Sequence, residues 1–180
     1  SNILITEYNH EPIAKIIDFG VATSRDLDLY SEHQITQTDQ ILGTLQYMSP
    51  EQARGNPRDI DTRSDIYTLG VILHELLSGE IPLAQEFSAT ETLEQHLSTT
   101  RQIVPGQLSR SIQLSEKQHL ISKNRRTTPA ALTRQLGQEL DWIVAKSLEK
   151  EPDDRYTTAK ACSDDIERFQ KNIPVQARPH

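Results

Sequence analysis

The chain has 180 residues, and its 19 Lys and Arg against 26 Asp and Glu give a formal charge of −7 at pH 7. A single cysteine excludes an intrachain disulfide framework and a four-cysteine zinc site, and the acidic balance argues against a nucleic-acid-binding protein. No apolar run approaches the roughly 18 residues of a membrane-spanning segment. The length predicts one domain, and the hydrophobic fraction of 35% predicts that its core is lean.

The chain begins with two short isoleucine-rich runs, at residues 3–5 and 13–17, separated by a polar stretch with Asn9 and Pro12. β-Branched runs bounded by such residues predict a β-hairpin. The following segment, 21–41, is polar and lacks a sustained period. We therefore predict a long loop there, of the kind that commonly carries function.

Three later segments have the apolar spacing of helices. In the clearest, 63–78, apolar residues cover more than one face, which is typical of a helix buried at the centre of a domain. Asp61 is placed to cap its start, and Gly79 to end it. Two further helices are predicted at 138–149 and 157–171.

Two segments lack a clear period. The stretch 98–137 holds seven Lys and Arg and one acid, a net charge of +6, which leaves −13 for the remainder of the chain. We favour a solvated, mobile insertion, and the alternative is a docking surface for acidic substrates or partners. The tail, 172–180, carries two prolines and is predicted to be a linker.

A set of short motifs indicates the chemistry. Asp18 follows an apolar run directly and precedes Phe19 and Gly20, which places a metal-binding carboxylate at a strand end, with a glycine that allows a sharp turn. Asn2 precedes this motif. The later motifs are Gly43-Thr44-Leu45-Gln46-Tyr47-Met48-Ser49-Pro50-Glu51, then Asp65-Ile66-Tyr67-Thr68-Leu69-Gly70, and then Asp154-Arg155-Tyr156.

In this order, the motifs resemble those of the C-terminal lobe of a Ser/Thr protein kinase of the bacterial eukaryotic-like family. The resemblance covers residues 1–171, and 98–137 match it poorly. It implies an α+β protein-kinase-like fold with a mainly helical C-lobe, a small β-hairpin and no N-lobe. The activation segment would be 18–51.

The resemblance also implies roles for individual residues. Asp18 and Asn2 would hold the Mg²⁺ ions that accompany ATP, and both supply the oxygen donors that Mg²⁺ prefers. Leu4 would form the floor of the adenine pocket, and Ile17 would line its back. Thr44 would contact the catalytic aspartate and favour Ser or Thr over Tyr as the phosphate acceptor.

Other residues would be structural. Glu51 and Arg155 resemble the buried ion pair that ties the activation segment to the lower helices, and the alternative is two unrelated surface charges. Asp65 would accept hydrogen bonds from the backbone of the catalytic loop. Gly20 would allow the turn after Asp18.

Thr36 and Thr38 lie where similar bacterial kinases are phosphorylated. A phosphate there adds about −1.5 to −2 charge and can order a loop against basic groups. We predict autophosphorylation at one of them, and the alternative is that both are unmodified polar loop residues.

The resemblance places the start of the chain inside the catalytic loop, so the catalytic base would lie upstream. We expect the 180 residues alone to be poorly stable and inactive. Asp65 would lack its backbone donors, and helix 63–78 would lack part of its apolar cover.

For the parent protein, the resemblance implies transfer of the γ-phosphoryl group of Mg-ATP to Ser or Thr of protein substrates. It implies a cytoplasmic kinase domain in a parent that can carry a membrane anchor beyond His180. Two alternatives are a pseudokinase-like scaffold and a partner-binding module that uses the basic stretch. The presence of Asn2 and Asp18 argues against the scaffold.

Overall fold

A computed structural model of the chain describes residues 3–16, 45–87 and 92–179. Backbone contacts divide the chain into two units, Ser1–Ile35 and Thr36–His180. In the described residues the first unit contains a β-hairpin and the second is helical. None of the described helices combines the length and apolar character that crossing a membrane would need.

The hairpin joins β1 (Ile3–Tyr8) to β2 (Glu11–Ile16) in an antiparallel register that runs from Ile3 opposite Ile16 to Tyr8 opposite Glu11. Its two turn residues, Asn9 and His10, have φ angles of 52° and 65°. Two consecutive residues with positive φ give a turn whose twist matches that of the strands. The predicted hairpin is therefore confirmed.

The helical unit consists of short helices around one longer helix. In chain order the helices are α1 (Pro50–Arg54), α2 (Thr62–Ser78), α3 (Leu93–Gln102), α4 (Leu108–Leu114), α5 (Gln118–Asn124), α6 (Pro129–Leu136), α7 (Glu139–Ser147) and α8 (Ala159–Gln170), with 3₁₀ turns at Pro57–Asp59 and Pro152–Asp154. The three predicted helices correspond to α2, α7 and α8, each within two residues at either end.

Helix α2 is the centre of this unit and packs against α4, α7 and α8. The Asp61 carboxylate caps its start by accepting the Arg63 N–H at 2.7 Å. Gly79 ends it in the left-handed conformation, at φ 79°, and donates its N–H to Glu75 O. The buried side chains of α2 and its neighbours form one core, which includes Ile66, Tyr67, Val71, Leu108, Ile112, Leu132, Leu140, Ile143, Val144 and Leu148.

One face of α2 differs from the prediction of a helix buried all round. Leu69 is 45% exposed and Leu76 is 67% exposed, and Asp65 lies on the same face and is also exposed. Among the described residues, the two leucines have little apolar cover. The expected cost of a buried Asp65 carboxylate does not arise, because its side chain is in solvent.

The basic stretch 98–137 is not a mobile insertion, which corrects the interpretation that we favoured. It forms the end of α3 and all of α4, α5 and α6, and it buries Leu108, Ile112 and Leu132 almost completely. Most of its basic side chains are exposed on the outside. Each of these helices is short, and basic residues interrupt its apolar residues, so the sequence shows no sustained helical period.

The tail also differs from the predicted linker. Val175 is buried, and the N–H groups of Gln176 and Ala177 donate to the Asp165 carboxylate at 2.7 and 2.9 Å. Asp165 is itself buried in α8. The segment docks through backbone hydrogen bonds, which leave no periodic signal in the sequence.

Gly70 sits at a close approach between α2 and the end of α7. A Cβ added there would lie 2.7 Å from Ser147 Cβ and 3.1 Å from Leu148 Cδ2. We predict that Gly70→Ala lowers the free energy of unfolding by about 1–3 kcal/mol, because the helices must separate and this outweighs the better helix propensity of Ala.

Urea unfolding measures this change, and Gly106→Ala is the matched control because a Cβ at Gly106 meets nothing within 4 Å. The control should change the free energy of unfolding by no more than about 0.5 kcal/mol. Equal stability of Gly70→Ala and the unaltered protein would contradict the close approach of α2 and α7.

Candidate functional site

The site residues predicted from the sequence fall into two groups. Leu4, Glu51, Asp65 and Arg155 are among the described residues. Leu4 lies in β1 opposite Lys15 and is 47% exposed, and its role at an adenine ring stays a prediction. The remaining candidates lie outside the described residues: Asn2, Ile17, Asp18, Gly20, Thr36, Thr38 and Thr44.

The motif Ser49-Pro50-Glu51-Gln52 builds the short helix α1. Ser49 caps its start, since its hydroxyl accepts the Gln52 N–H while the Gln52 side chain accepts the Ser49 N–H at 2.9 Å. Pro50 occupies the first turn, where a missing N–H costs nothing. Gly55 ends the helix at φ 75°. This local structure directs Glu51 into the interior, where it is 1% exposed.

Inside the unit, Glu51 meets Arg155 in a two-pronged ion pair. Arg155 Nη1 lies 2.7 Å from Oε1, and Nη2 lies 2.7 Å from Oε2. The side chains are 0% and 1% exposed for Arg155 and Glu51, so this is a fully buried pair rather than two surface charges. The two residues are 104 positions apart in the sequence.

The remaining donors of Arg155 are all used by backbone carbonyls. Nε donates to Glu149 O at 2.8 Å, Nη1 also donates to Arg63 O at 2.8 Å, and Nη2 also donates to Lys150 O at 3.1 Å. A guanidinium has five N–H donors, and here each has an acceptor. Burial of the cation is therefore compensated by a complete set of hydrogen bonds.

The neighbours of the pair favour its charged form. Burial alone would raise the pKa of Glu51, but hydrogen bonds from Arg155 and Ser64 outweigh burial and hold that pKa below its usual range. The Ser64 hydroxyl donates to Glu51 Oε1 at 2.6 Å. The ring of Tyr67 lies 5.1 Å from the Arg155 guanidinium carbon, and burial raises the pKa of Tyr67 to about 12, so a neutral ring faces the cation.

A second arrangement holds the segment just before α1, and the sequence reasoning missed it. The Tyr47 hydroxyl donates to Glu75 Oε2 at 2.7 Å, and the Thr68 hydroxyl donates to Tyr47 O at 3.0 Å. Burial and then Glu75 raise the pKa of Tyr47 to about 12. The sequence gives one signal of this arrangement: Tyr47 lies in the motif 43–51 and Thr68 lies in the motif 65–70.

Beside Tyr47 lies an open cleft of about 840 Å³. Its walls carry the carboxylates of Glu75, Glu80 and Glu116, and Ser115 donates a hydrogen bond to Glu80 at 3.1 Å. Within residues 3–16, 45–87 and 92–179, no group of three or more His, Cys, Asp or Glu could hold a metal ion.

Comparison with known proteins agrees with the motifs. Residues 1–166 match the protein kinase domain family. The chain is 33% identical over 177 residues, 98% of its length, to the serine/threonine-protein kinase PknB of Mycobacterium tuberculosis, of which the match covers 23%. It is 29% identical over 179 residues to the probable serine/threonine-protein kinase CPE1738 of Clostridium perfringens. This match covers 98% of the chain and 21% of that protein.

A third relative is the probable serine/threonine-protein kinase PknB of Bifidobacterium longum, with 33% identity over 177 residues, 98% of this chain and 21% of that protein. The chain thus spans less than a quarter of the length of these three relatives.

Acid should weaken the structure through Glu51. Because the pKa of Glu51 is lower in the folded state than its ordinary 4.5, its stabilising effect is complete above pH 4.5 and is lost as the pH falls through the folded-state pKa. We predict that carbon-detected NMR titration of the Glu51 carboxylate gives a midpoint below 4.5. A midpoint at or above that value would contradict the pairing with Arg155.

Proposed function

The chain belongs to the protein kinase family, and from this premise we propose that the protein carrying it is a Ser/Thr protein kinase. It would transfer the γ-phosphoryl group of Mg-ATP to Ser or Thr of protein substrates. The observation that carries the proposal is the buried pair of Glu51 and Arg155. Two of the kinase motifs, distant in the sequence, meet there and fix the end of the proposed activation segment, 18–51.

In this proposal Asp18 and Asn2 hold Mg²⁺. The donor set fits, because a carboxylate and an amide oxygen are hard ligands of the kind that Mg²⁺ prefers. Bound Mg²⁺ neutralises negative charge on the phosphate oxygens of ATP. Leu4 and Ile17 contact the adenine ring, and Thr44 favours a Ser or Thr acceptor.

The described structure supports a positioning role for the segment that follows Thr44. Tyr47 is fixed to α2 through Glu75 and Thr68, and Glu51 is fixed through Arg155. A segment held at both points presents a substrate hydroxyl with little loss of entropy, and such positioning supplies much of the catalysis in phosphoryl transfer.

The proposal also covers the extent and setting of the domain. Residues 1–171 form part of the kinase domain, which lies in the cytoplasm, and the protein can carry a membrane anchor beyond His180. Phosphorylation of Thr36 or Thr38 places negative charge in the activation segment and orders it against basic groups.

Activity of the full-length protein tests the proposal. With labelled ATP, Mg²⁺ and a mixture of Ser- and Thr-containing proteins, we expect phosphate transfer that Asp18→Asn reduces by roughly 100-fold or more, because a metal ligand is lost. Mass spectrometry of the unaltered protein should find phosphate on Thr36 or Thr38.

The matched control is Asp164→Asn, which removes an exposed carboxylate of α8 that pairs with Lys160 and belongs to none of the motifs. It should leave the activity within about twofold of the unaltered protein. A full-length protein that binds partners but transfers no phosphate would instead support the scaffold.

A further inference from the structure

Lys150 links helix α3 to the buried pair of Glu51 and Arg155. We propose that Lys150 is a positioning residue that holds α3 against α1 and thereby sets the affinity for the protein substrate. This inference rests on the proposed kinase function. It assigns a role to a side chain that the sequence motifs leave unassigned.

The first step is the bond that Lys150 makes. Its Nζ donates to Thr100 O at 2.5 Å, in the last turn of α3. The last four carbonyls of a helix lack partners within the helix, and Thr100 is only 3% exposed, so water does not readily replace this donor. A cation at this end of α3 also interacts favourably with the helix dipole.

A second bond, made by a residue of α3 itself, joins α3 to α1. Arg101, also in the last turn of α3, donates from Nη1 to Ala53 O at 3.2 Å, in the last turn of α1. Its other nitrogen, Nη2, pairs with Glu94 at the start of α3. Each of the two helices is thus capped at its carboxyl end by a cation, and one of these cations comes from the other helix.

The backbone of Lys150 completes a closed circuit. Its carbonyl accepts Nη2 of Arg155 at 3.1 Å, and the same nitrogen binds Glu51 in α1. The circuit therefore runs from α1 through Arg155 and Lys150 to α3, and back to α1 through Arg101. Because the carbonyl belongs to the backbone, replacing the Lys150 side chain breaks only the link to α3.

The electrostatic setting argues that the ammonium is not placed there for stability alone. Burial, and then the charges of Arg155 and Arg54, lower the pKa of Lys150 to about 8. A half-buried cation close to two others is costly, and groups kept in such surroundings are concentrated at functional positions. Glu151 offsets part of the repulsion by pairing with Arg54 at 3.0 Å.

The consequence for the substrate follows from the place of α1. This helix ends the proposed activation segment, which presents the substrate, while the proposed ATP contacts lie at residues 2–18. Loosening α3 from α1 should therefore weaken binding of the protein substrate and leave ATP binding and the chemical step unchanged.

Steady-state kinetics of the full-length protein test this inference. Lys150→Met keeps the length of the side chain but removes the donor and the charge, and we expect KM for the protein substrate to rise roughly threefold to tenfold. KM for ATP and kcat should stay within about twofold. Lys150→Arg, which can still donate to Thr100 O, should restore most of the affinity.

Hydrogen exchange provides a readout that does not depend on catalysis. Amides of α3 should exchange faster in Lys150→Met than in the unaltered protein, while those of α7 should not change. The matched control is Lys171→Met, which removes an exposed lysine paired with Glu167 and should alter neither exchange in α3 nor KM.

The outcomes separate the two proposals. Two results for Lys150→Met would overturn the role of Lys150 in substrate binding. One is an unchanged KM for the protein substrate, and the other is a fall in kcat together with an equally large rise in KM for ATP. An unaltered protein without activity would overturn the proposed function. Whether or not the protein is active, unchanged hydrogen exchange of the α3 amides in Lys150→Met would overturn the link between Lys150 and α3.

Discussion

The helical unit depends on one interaction, the buried ion pair of Glu51 and Arg155. Removing two charges from water costs several kcal/mol for each ion, and only a close geometry with full hydrogen bonding repays that cost. Here both carboxylate oxygens are bound at 2.7 Å, and every Arg155 donor has an acceptor. A hydrophobic pair of similar volume could fill this space, but it could not hold three backbone carbonyls at fixed positions.

Those carbonyls explain why the pair matters beyond its own energy. They belong to Arg63, at the start of α2, and to Glu149 and Lys150, in the segment after α7. The guanidinium therefore joins α1, α2 and the end of α7 at one point. The close approach of α2 and α7 at Gly70 brings the same elements together about two turns further along α2. The segment that precedes α1 is joined to the same helix α2 through the bonds of Tyr47 with Glu75 and Thr68.

The sequence predicts the parts of the fold whose signal is local. The hairpin follows from β-branched runs around Asn9, and α2, α7 and α8 follow from sustained apolar spacing, with recognisable caps at both ends of α2. Helices α4, α5 and α6 were missed because each has only seven or eight residues, and their burial is determined by tertiary packing against one another and against α2 and α7.

The site divides in the same way. The motifs predict an ion pair of Glu51 with Arg155, and the structure places these two side chains in contact. Tyr47, Glu75 and Lys150 were assigned no role, because each acts through a partner far away in the sequence: Tyr47 with Glu75, and Lys150 with a backbone carbonyl of α3. A hydrogen bond to a carbonyl depends on where the backbone lies and not on which residue supplies it, so no residue pattern indicates it.

A double-mutant cycle on the pair tests its central role most directly. Glu51→Gln and Arg155→Gln should each lower the free energy of unfolding of the full-length protein by about 3–5 kcal/mol, because each leaves the other charge buried and unpaired. The double variant should lose less than the sum of the two, with a coupling energy of about 2 kcal/mol or more. Additive losses, or single losses below about 1 kcal/mol, would contradict a buried pair on which the helical unit depends.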